Sequence, residues 1–270
     1  MTPTWQTLIL GVVQGVTEFL PISSSGHLAL LQTFFEMPAG NLLLFDLILH
    51  CATVLAILLF FREEVALVLV QWCGGLFSKK ARDAEGWRYG WLLLVGTMMT
   101  AVVALPLKDV VEEAMSSYFA VGVGLLATAG LLCLVPLVPE RQKELSLKAA
   151  LFVGLAQGLA VFPGLSRSGS TLAVALFMGL TGRDAFRLSF LMSIPAVLGA
   201  SLLETANILR HPSLALPDGC FLAALAAFLL GYLSLAFLRR LVLSGKWPYF
   251  GVYCFLLGVV AVVSDIAADF

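Results

Sequence analysis

Two short segments hold most of the side chains that could do chemistry, EFLPISSSGH at 18–27 and VFPGLSRSGST at 161–171. Their hydroxyls (Ser23, Ser24 and Ser25; Ser166, Ser168, Ser170 and Thr171) come with Gly26, Gly164 and Gly169, which let backbone N–H groups approach a ligand closely. A helix starting just after each loop would add its N-terminal donors, a combination suited to phosphate oxygens. Arg167 adds a planar donor fork that matches phosphate better than a lysine would. Two such nests facing each other could hold two phosphates. Gln14 and Glu18 stand at i and i+4 on one helical face, where an amide oxygen beside a carboxylate suits Mg²⁺ or Ca²⁺ bound between protein and phosphates. His27 lies three residues after Ser24, within reach to act as general base toward a hydroxyl or to attack phosphorus itself. A histidine at a helix start also serves as a cap.

The elements that position these residues are set by composition. The 270 residues are 60% hydrophobic and 12% charged, with mean hydropathy +0.98, whereas soluble domains average roughly a quarter charged. This is a chain for a bilayer. A net charge of -1 and a pI near 6.3 leave no global basic field and argue against nucleic acid as a partner. The five cysteines are scattered, without metal-ligand spacing, and read as small packing residues. The first segment, MTPTWQTLILGVVQG, lacks a basic n-region and reads as retained.

Six windows are long and apolar enough to span: 42–61, 89–107, 117–138, 187–203, 219–238 and 248–266, with 187–203 the shortest. Two further stretches are broken by the Gly/Ser loops into first arms (5–20 and 149–162) and short second arms (27–35 and 171–181) that reach only about half a bilayer at ~1.5 Å per residue. The reading is two re-entrant helical hairpins, the alternative being one kinked span each. Basic residues gather at 62–88, at 141–148 (Arg141, Lys143, Lys148) and at 239–246 (Arg239, Arg240, Lys246), which alternates as six spans with both termini outside. His211, in an outer loop, reads as exposed.

Shifting the chain by 143 residues places Gly11, Gln14, Gly15, Phe19, Ser23, Ser25 and Gly26 on Gly154, Gln157, Gly158, Phe162, Ser166, Ser168 and Gly169. With three spans after each hairpin, the second must enter from the opposite face. The expectation is an all-α polytopic membrane protein with an inverted-topology repeat, pseudo-repeats 1–140 and 147–270 within a single integral membrane domain spanning 1–270, and a ligand site near the midplane. The copies differ where it matters: Glu18, Ser24 and His27 face Val161, Arg167 and Ser170. Ionisable residues at membrane depth are functional candidates. Glu18 and Arg167 would compensate each other across the repeat, and a purely structural ion pair is the alternative. Asp46 and His50, one turn apart in the first span, either line the same cavity or form a structural pair.

Those motifs, Gln14-Gly-Val-Thr-Glu18 running on to His27 and Pro163-Gly-Leu-Ser-Arg-Ser-Gly-Ser-Thr171, resemble the bacterial undecaprenyl-diphosphate phosphatases, as do FDLILH at 45–50 and FRLSFLMSIPA at 186–196. The resemblance covers essentially the whole chain. It implies hydrolysis of undecaprenyl diphosphate to the monophosphate and inorganic phosphate with a divalent cation, recycling a cell-wall lipid carrier and contributing to bacitracin resistance. It also implies a multi-pass protein of the bacterial inner membrane whose site opens toward the outer face. Glu18, Ser24, His27 and Arg167 are then the expected essential set, with Ser166, Ser168 and Thr171 binding diphosphate. Many members have Glu where this chain has Gln14. The rival function is a polyprenyl-phosphate flippase or transporter, since midplane hairpins are a transporter architecture. Oligomeric state is left open, a homodimer included.

Overall fold

The structure, a computed structural model, describes residues 3–37, 39–139, 142–210, 216–245 and 247–268. The readings of His211, Arg141 and Lys246 lie outside the described residues. The described chain is all helical. In order the helices are α1 (Thr4–Thr17), α2 (Ser24–Phe34), α3 (Ala39–Phe60), α4 (Arg62–Phe77), α5 (Glu85–Ala104), α6 (Lys108–Ala114), α7 (Tyr118–Leu134), α8 (Leu147–Leu159), α9 (Arg167–Phe177), α10 (Gly182–Arg210), α11 (Cys220–Leu243) and α12 (Trp247–Ala268).

Among the described residues five helical segments are long and apolar enough to cross a membrane, six if α3 and α4, bent by 79° at their junction, count as one span. The outer faces of α11 and α12 expose Leu229, Phe237, Leu256 and Val260, as expected where the solvent is hydrocarbon. This is a polytopic membrane protein. Each apolar window of the sequence carries a helix. The basic gap 62–88 contains one as well, because Glu63 and Glu64 in the first turn of α4 suit its positive end. The 187–203 window underestimates its element, since α10 has 29 residues. Asp184 and Arg187 lower its hydropathy but are partnered, Asp184 by Thr181 Oγ1 at 2.7 Å and Arg187 by Glu85 at 2.8 Å. Among the cysteines only Cys220 and Cys254 are buried; Cys51, Cys73 and Cys133 are exposed, so those three do not pack the interior.

The motifs themselves start helices, rather than preceding them. Ser23 and Ser166 are the caps, their hydroxyls accepting from the N–H groups of Gly26 (3.3 Å) and Gly169 (3.1 Å). Ser24 and Arg167 are therefore the first residues of α2 and α9. With 14 and 11 residues in α1 and α2, and 13 and 11 in α8 and α9, none of the four spans a bilayer alone.

Lipid tails are as apolar as leucine, so close backbone approach and polar contacts must hold the helices together. Here the close approaches are glycines. A Cβ on Gly11 would lie 2.6 Å from Ala223 Cα of α11, and one on Gly15 2.9 Å from Ala227 Cα. One on Gly154 would lie 2.9 Å from Gly96 Cα of α5, and one on Gly158 2.9 Å from the Thr100 carbonyl oxygen. The matched glycines thus meet partners one turn apart, each on a helix of the other half. Helix α7 backs both loops. Thr128 Oγ1 donates to the Gly164 carbonyl (2.9 Å) and accepts from Ser166 N–H (2.8 Å), while Gly164, at φ +83, rests against Val121. Phe19, fully buried, seats loop one on Phe190 of α10 at 5.9 Å between ring centroids.

Three expectations follow from this packing. Gly154→Ala inserts a methyl group into the α8–α5 contact and should cost about 1–3 kcal/mol, lowering the unfolding midpoint of the detergent-solubilised protein. Gly130→Ala, where a Cβ meets nothing within 4 Å, should not lower it. Thr128→Val keeps the shape but strands the buried Ser166 N–H, at about 1–3 kcal/mol in the same measurement.

Candidate active site

The site is built around one carboxylate. Glu18 follows the last turn of α1, where Gln14, one turn earlier, donates from Nε2 to Glu18 Oε2 at 3.0 Å. Ser24, the first residue of α2, donates its hydroxyl to the same Oε2 at 2.6 Å. Arg167, the first residue of α9, pairs through Nη2 with Oε1. The Glu18 side chain is 4% exposed and that of Arg167 19%, so two opposite charges from loops far apart in sequence compensate each other in the interior. His50 of α3 brings Nε2 to 3.9 Å from Oε2.

Both loops open onto a cavity of about 710 Å³. Its polar end is formed by Glu18, Ser23, Ser24, Ser25, Ser166 and Arg167, with His50 and Gln157 beside them. Its walls are apolar, from Ala101, Ala104 and Leu105 after and within α5 and from Val197, Leu202 and Leu203 of α10. Arg167 Nη1 and Gln157 Oε1 are buried without a partner. An unpartnered guanidinium N–H beside a serine hydroxyl, itself hydrogen-bonded to a carboxylate, can bind an anionic centre, present a nucleophile and accept its proton.

Not every residue singled out in the sequence reaches this cavity. Ser168 donates to the Leu20 carbonyl at 3.0 Å, joining the second loop to the first. Thr171 hydrogen-bonds the Arg167 carbonyl (2.8 Å) and Ser189 (2.5 Å), and so braces α9 against α10. Gly26 and Gly164 face each other, a Cβ on Gly26 falling 3.1 Å from Gly164 Cα, and a Cβ on Gly169 would fall 3.2 Å from Pro21 Cβ. These glycines let the loops touch. Among the lining residues of the cavity, the expected binders represented are Ser23, Ser25 and Ser166.

The His27 ring has other partners in the structure. Its Nδ1 lies 2.7 Å from the Ser23 carbonyl and its Nε2 2.7 Å from the Tyr253 hydroxyl, and it lines a separate cavity of about 380 Å³ with Val12, Val13 and Leu257. The imidazole is thus not directed at Ser24, and the group that receives the Ser24 hydroxyl is Glu18. The imidazole in the large cavity is that of His50, whose Nδ1 donates to the Asp46 carbonyl at 2.8 Å. Asp46 itself accepts from Gln32 at 2.8 Å, tying α3 to α2, so of that pair one member lines the cavity and the other is structural. Gln157 and Thr100 line the cavity and Thr128 holds the second loop, three residues the sequence does not single out for the site. Their signal was polar side chains inside apolar windows, one of them the repeat mate of Gln14.

A divalent cation fits this donor set in a limited way. Gln14 Oε1 is buried without a partner beside Glu18, which makes an amide oxygen and a carboxylate available. Among the described residues no group of three or more His, Cys, Asp or Glu side chains could hold a metal ion. Most ligands would therefore come from phosphate and water, a common arrangement for Mg²⁺.

Comparison with known proteins identifies the family. A Desulfosudis oleivorans protein named Undecaprenyl-diphosphatase is 41% identical over 271 residues, covering 94% of this chain and 96% of its own. Proteins of the same name from Methanosphaera stadtmanae (38% over 279 residues, 96% and 97% covered) and Korarchaeum cryptofilum (39% over 262 residues, 94% and 96%) are similar. Residues 7–260, which include both loops and the whole cavity lining, match the family described as Bacitracin resistance protein BacA, and the chain belongs to that family.

Proposed function

We propose that this chain hydrolyses undecaprenyl diphosphate to undecaprenyl phosphate and inorganic phosphate, and so recycles a lipid carrier of cell-wall synthesis. The observation that carries the reading is the convergence of Ser24 and Arg167 on the two oxygens of Glu18, at the polar end of a cavity with apolar walls. The diphosphate sits against Arg167 and the serines, and the isoprenoid tail leaves along α5 and α10. Binding there moves Arg167 from a carboxylate alone to a carboxylate and phosphate together, which its unpartnered Nη1 allows.

Ser24 Oγ attacks the terminal phosphorus while Glu18 takes the hydroxyl proton. The Oγ–P bond forms, the bridging P–O bond breaks, and undecaprenyl phosphate leaves. Glu18 passes that proton to the leaving undecaprenyl phosphate, then takes a proton from the attacking water and returns it to Ser24 Oγ as the Oγ–P bond breaks and inorganic phosphate leaves. Glu18 and Gln14 would hold a divalent cation, which when bound would supply Lewis-acid neutralisation of phosphate charge. Direct attack by His27 has less support, since both ring nitrogens are engaged elsewhere.

The site opens to the outer face of the inner membrane, and the two halves are related by an inverted repeat. The reciprocal packing of α1 on α11 and α8 on α5 supports the second point, and the alternation of basic loops supports both. Transport by the same architecture has less support, because the relatives carry the name of a hydrolase.

Purified protein in detergent, with no gradient to use, should release phosphate from undecaprenyl diphosphate. Ser24→Ala and Arg167→Ala should each lower turnover by about a hundredfold or more; near-wild-type turnover by either would sink the assignment. Stripping divalent cations with a chelator should abolish release, and added Mg²⁺ or Ca²⁺ should restore it. Glu18→Gln or Arg167→Gln alone leaves a buried charge unpaired and should destabilise by about 3–5 kcal/mol. The double variant should regain most of that stability and none of the turnover, which separates a working pair from a merely structural one.

A further inference from the structure

Ser23 and Ser166 are equivalent caps in the two copies of the loop, yet their backbones differ. Ser166 is extended, at φ -68 and ψ 119. Ser23 has φ 67 and ψ 94, and among the described residues it shares a positive φ outside glycine only with Glu36. A serine does not settle there unless its surroundings hold it. In both copies the cap carbonyl accepts the backbone N–H four residues on, His27 N at 3.2 Å in one and Ser170 N at 2.8 Å in the other. The first copy adds a second donor, His27 Nδ1 at 2.7 Å. The second copy has Ser170 there, whose hydroxyl is buried without a partner.

The imidazole is itself fixed from outside the loop. Tyr253 of α12 places its hydroxyl 2.7 Å from Nε2, and the two rings lie 5° from parallel with centroids 5.7 Å apart. Helix α12 packs along α7, the helix that backs both loops. A neutral imidazole donating from Nδ1 to the Ser23 carbonyl and accepting the Tyr253 hydroxyl at Nε2 has no lone pair left for a base.

We propose that His27 and Tyr253 form a strut that holds Ser23 in its left-handed conformation and thereby aims the Ser24 hydroxyl at Glu18, making Tyr253 a positioning residue of the site. Turning φ at the cap reorients the first turn of α2, the turn that carries Ser24. The unbraced copy, with an ordinary cap, presents Arg167 at the equivalent position.

The proposal rests on the phosphatase reading, and two measurements keep their failures apart. In phosphate-release assays Tyr253→Phe should lower kcat about three- to tenfold, the worth of one hydrogen bond, with KM within about twofold. Glycine takes a positive φ without strain. In a Ser23→Gly background the same Tyr253→Phe change should therefore lower kcat less than about twofold relative to that background. An equal loss in both backgrounds, or no loss in either, overturns the strut. Independently of turnover, ¹⁵N spectra of histidine-labelled protein in lipid nanodiscs, assigned with His27→Gln, should show His27 protonated at Nδ1 and Tyr253→Phe should shift its Nε2 resonance. A His27 bearing its proton at Nε2 alone overturns the strut. Wild-type protein that releases no phosphate defeats the phosphatase reading, and the nitrogen spectra still decide the strut.

Discussion

A carboxylate and a guanidinium buried against each other organise this protein. Glu18 and Arg167 lie 149 residues apart in the chain, and neither charge could stay in an apolar interior without the other. Their pairing requires the two loops to meet, and the rest of the central architecture serves that meeting. Gly26 and Gly164 remove the side chains that would keep the loops apart, Ser168 hydrogen-bonds across to the Leu20 carbonyl, and α7 holds the second loop through Thr128. Where the loops touch, the polar end of the large cavity forms.

The duplication gives the site its economy and its asymmetry. Ser24 and Arg167 occupy the same position in their copies, the first residue of a short capped helix, and they converge on opposite oxygens of a single carboxylate. One scaffold position thus presents a hydroxyl from one half and a cation from the other. The copies diverge where their roles diverge. Where the first has Glu18 and His27 the second has Val161 and Ser170, and the cap conformations differ accordingly. Meanwhile the glycines that seat α1 and α8 on their partner helices are retained in both, because close approach is needed in each half.

Much of the element content was legible along the chain. Long apolar windows announce the spans, and the Gly/Ser segments announce the breaks between the short helices, by local rules. The misreadings have local causes too. The start of α10 was hidden because Asp184 looks like a loop residue until its partner Thr181 is seen. Helix α4 was hidden inside a charged gap. Ser24 and Arg167 were read as loop residues although their own caps start the helices that carry them.

The sequence by itself determined that the chain belongs in a membrane and that one loop occurs twice, and it led to the expectation that Glu18 and Arg167 compensate each other, since unpaired charges are costly at that depth. Tertiary structure alone decided which atoms meet. His27 is three residues from Ser24, and spacing places it near that hydroxyl; yet its ring turns to the Ser23 carbonyl and to Tyr253, 226 residues away. His50, from another helix, stands beside Glu18 instead. Spacing along a chain fixes which neighbours a side chain can reach, but its direction depends on backbone dihedrals and on partners brought from distant helices.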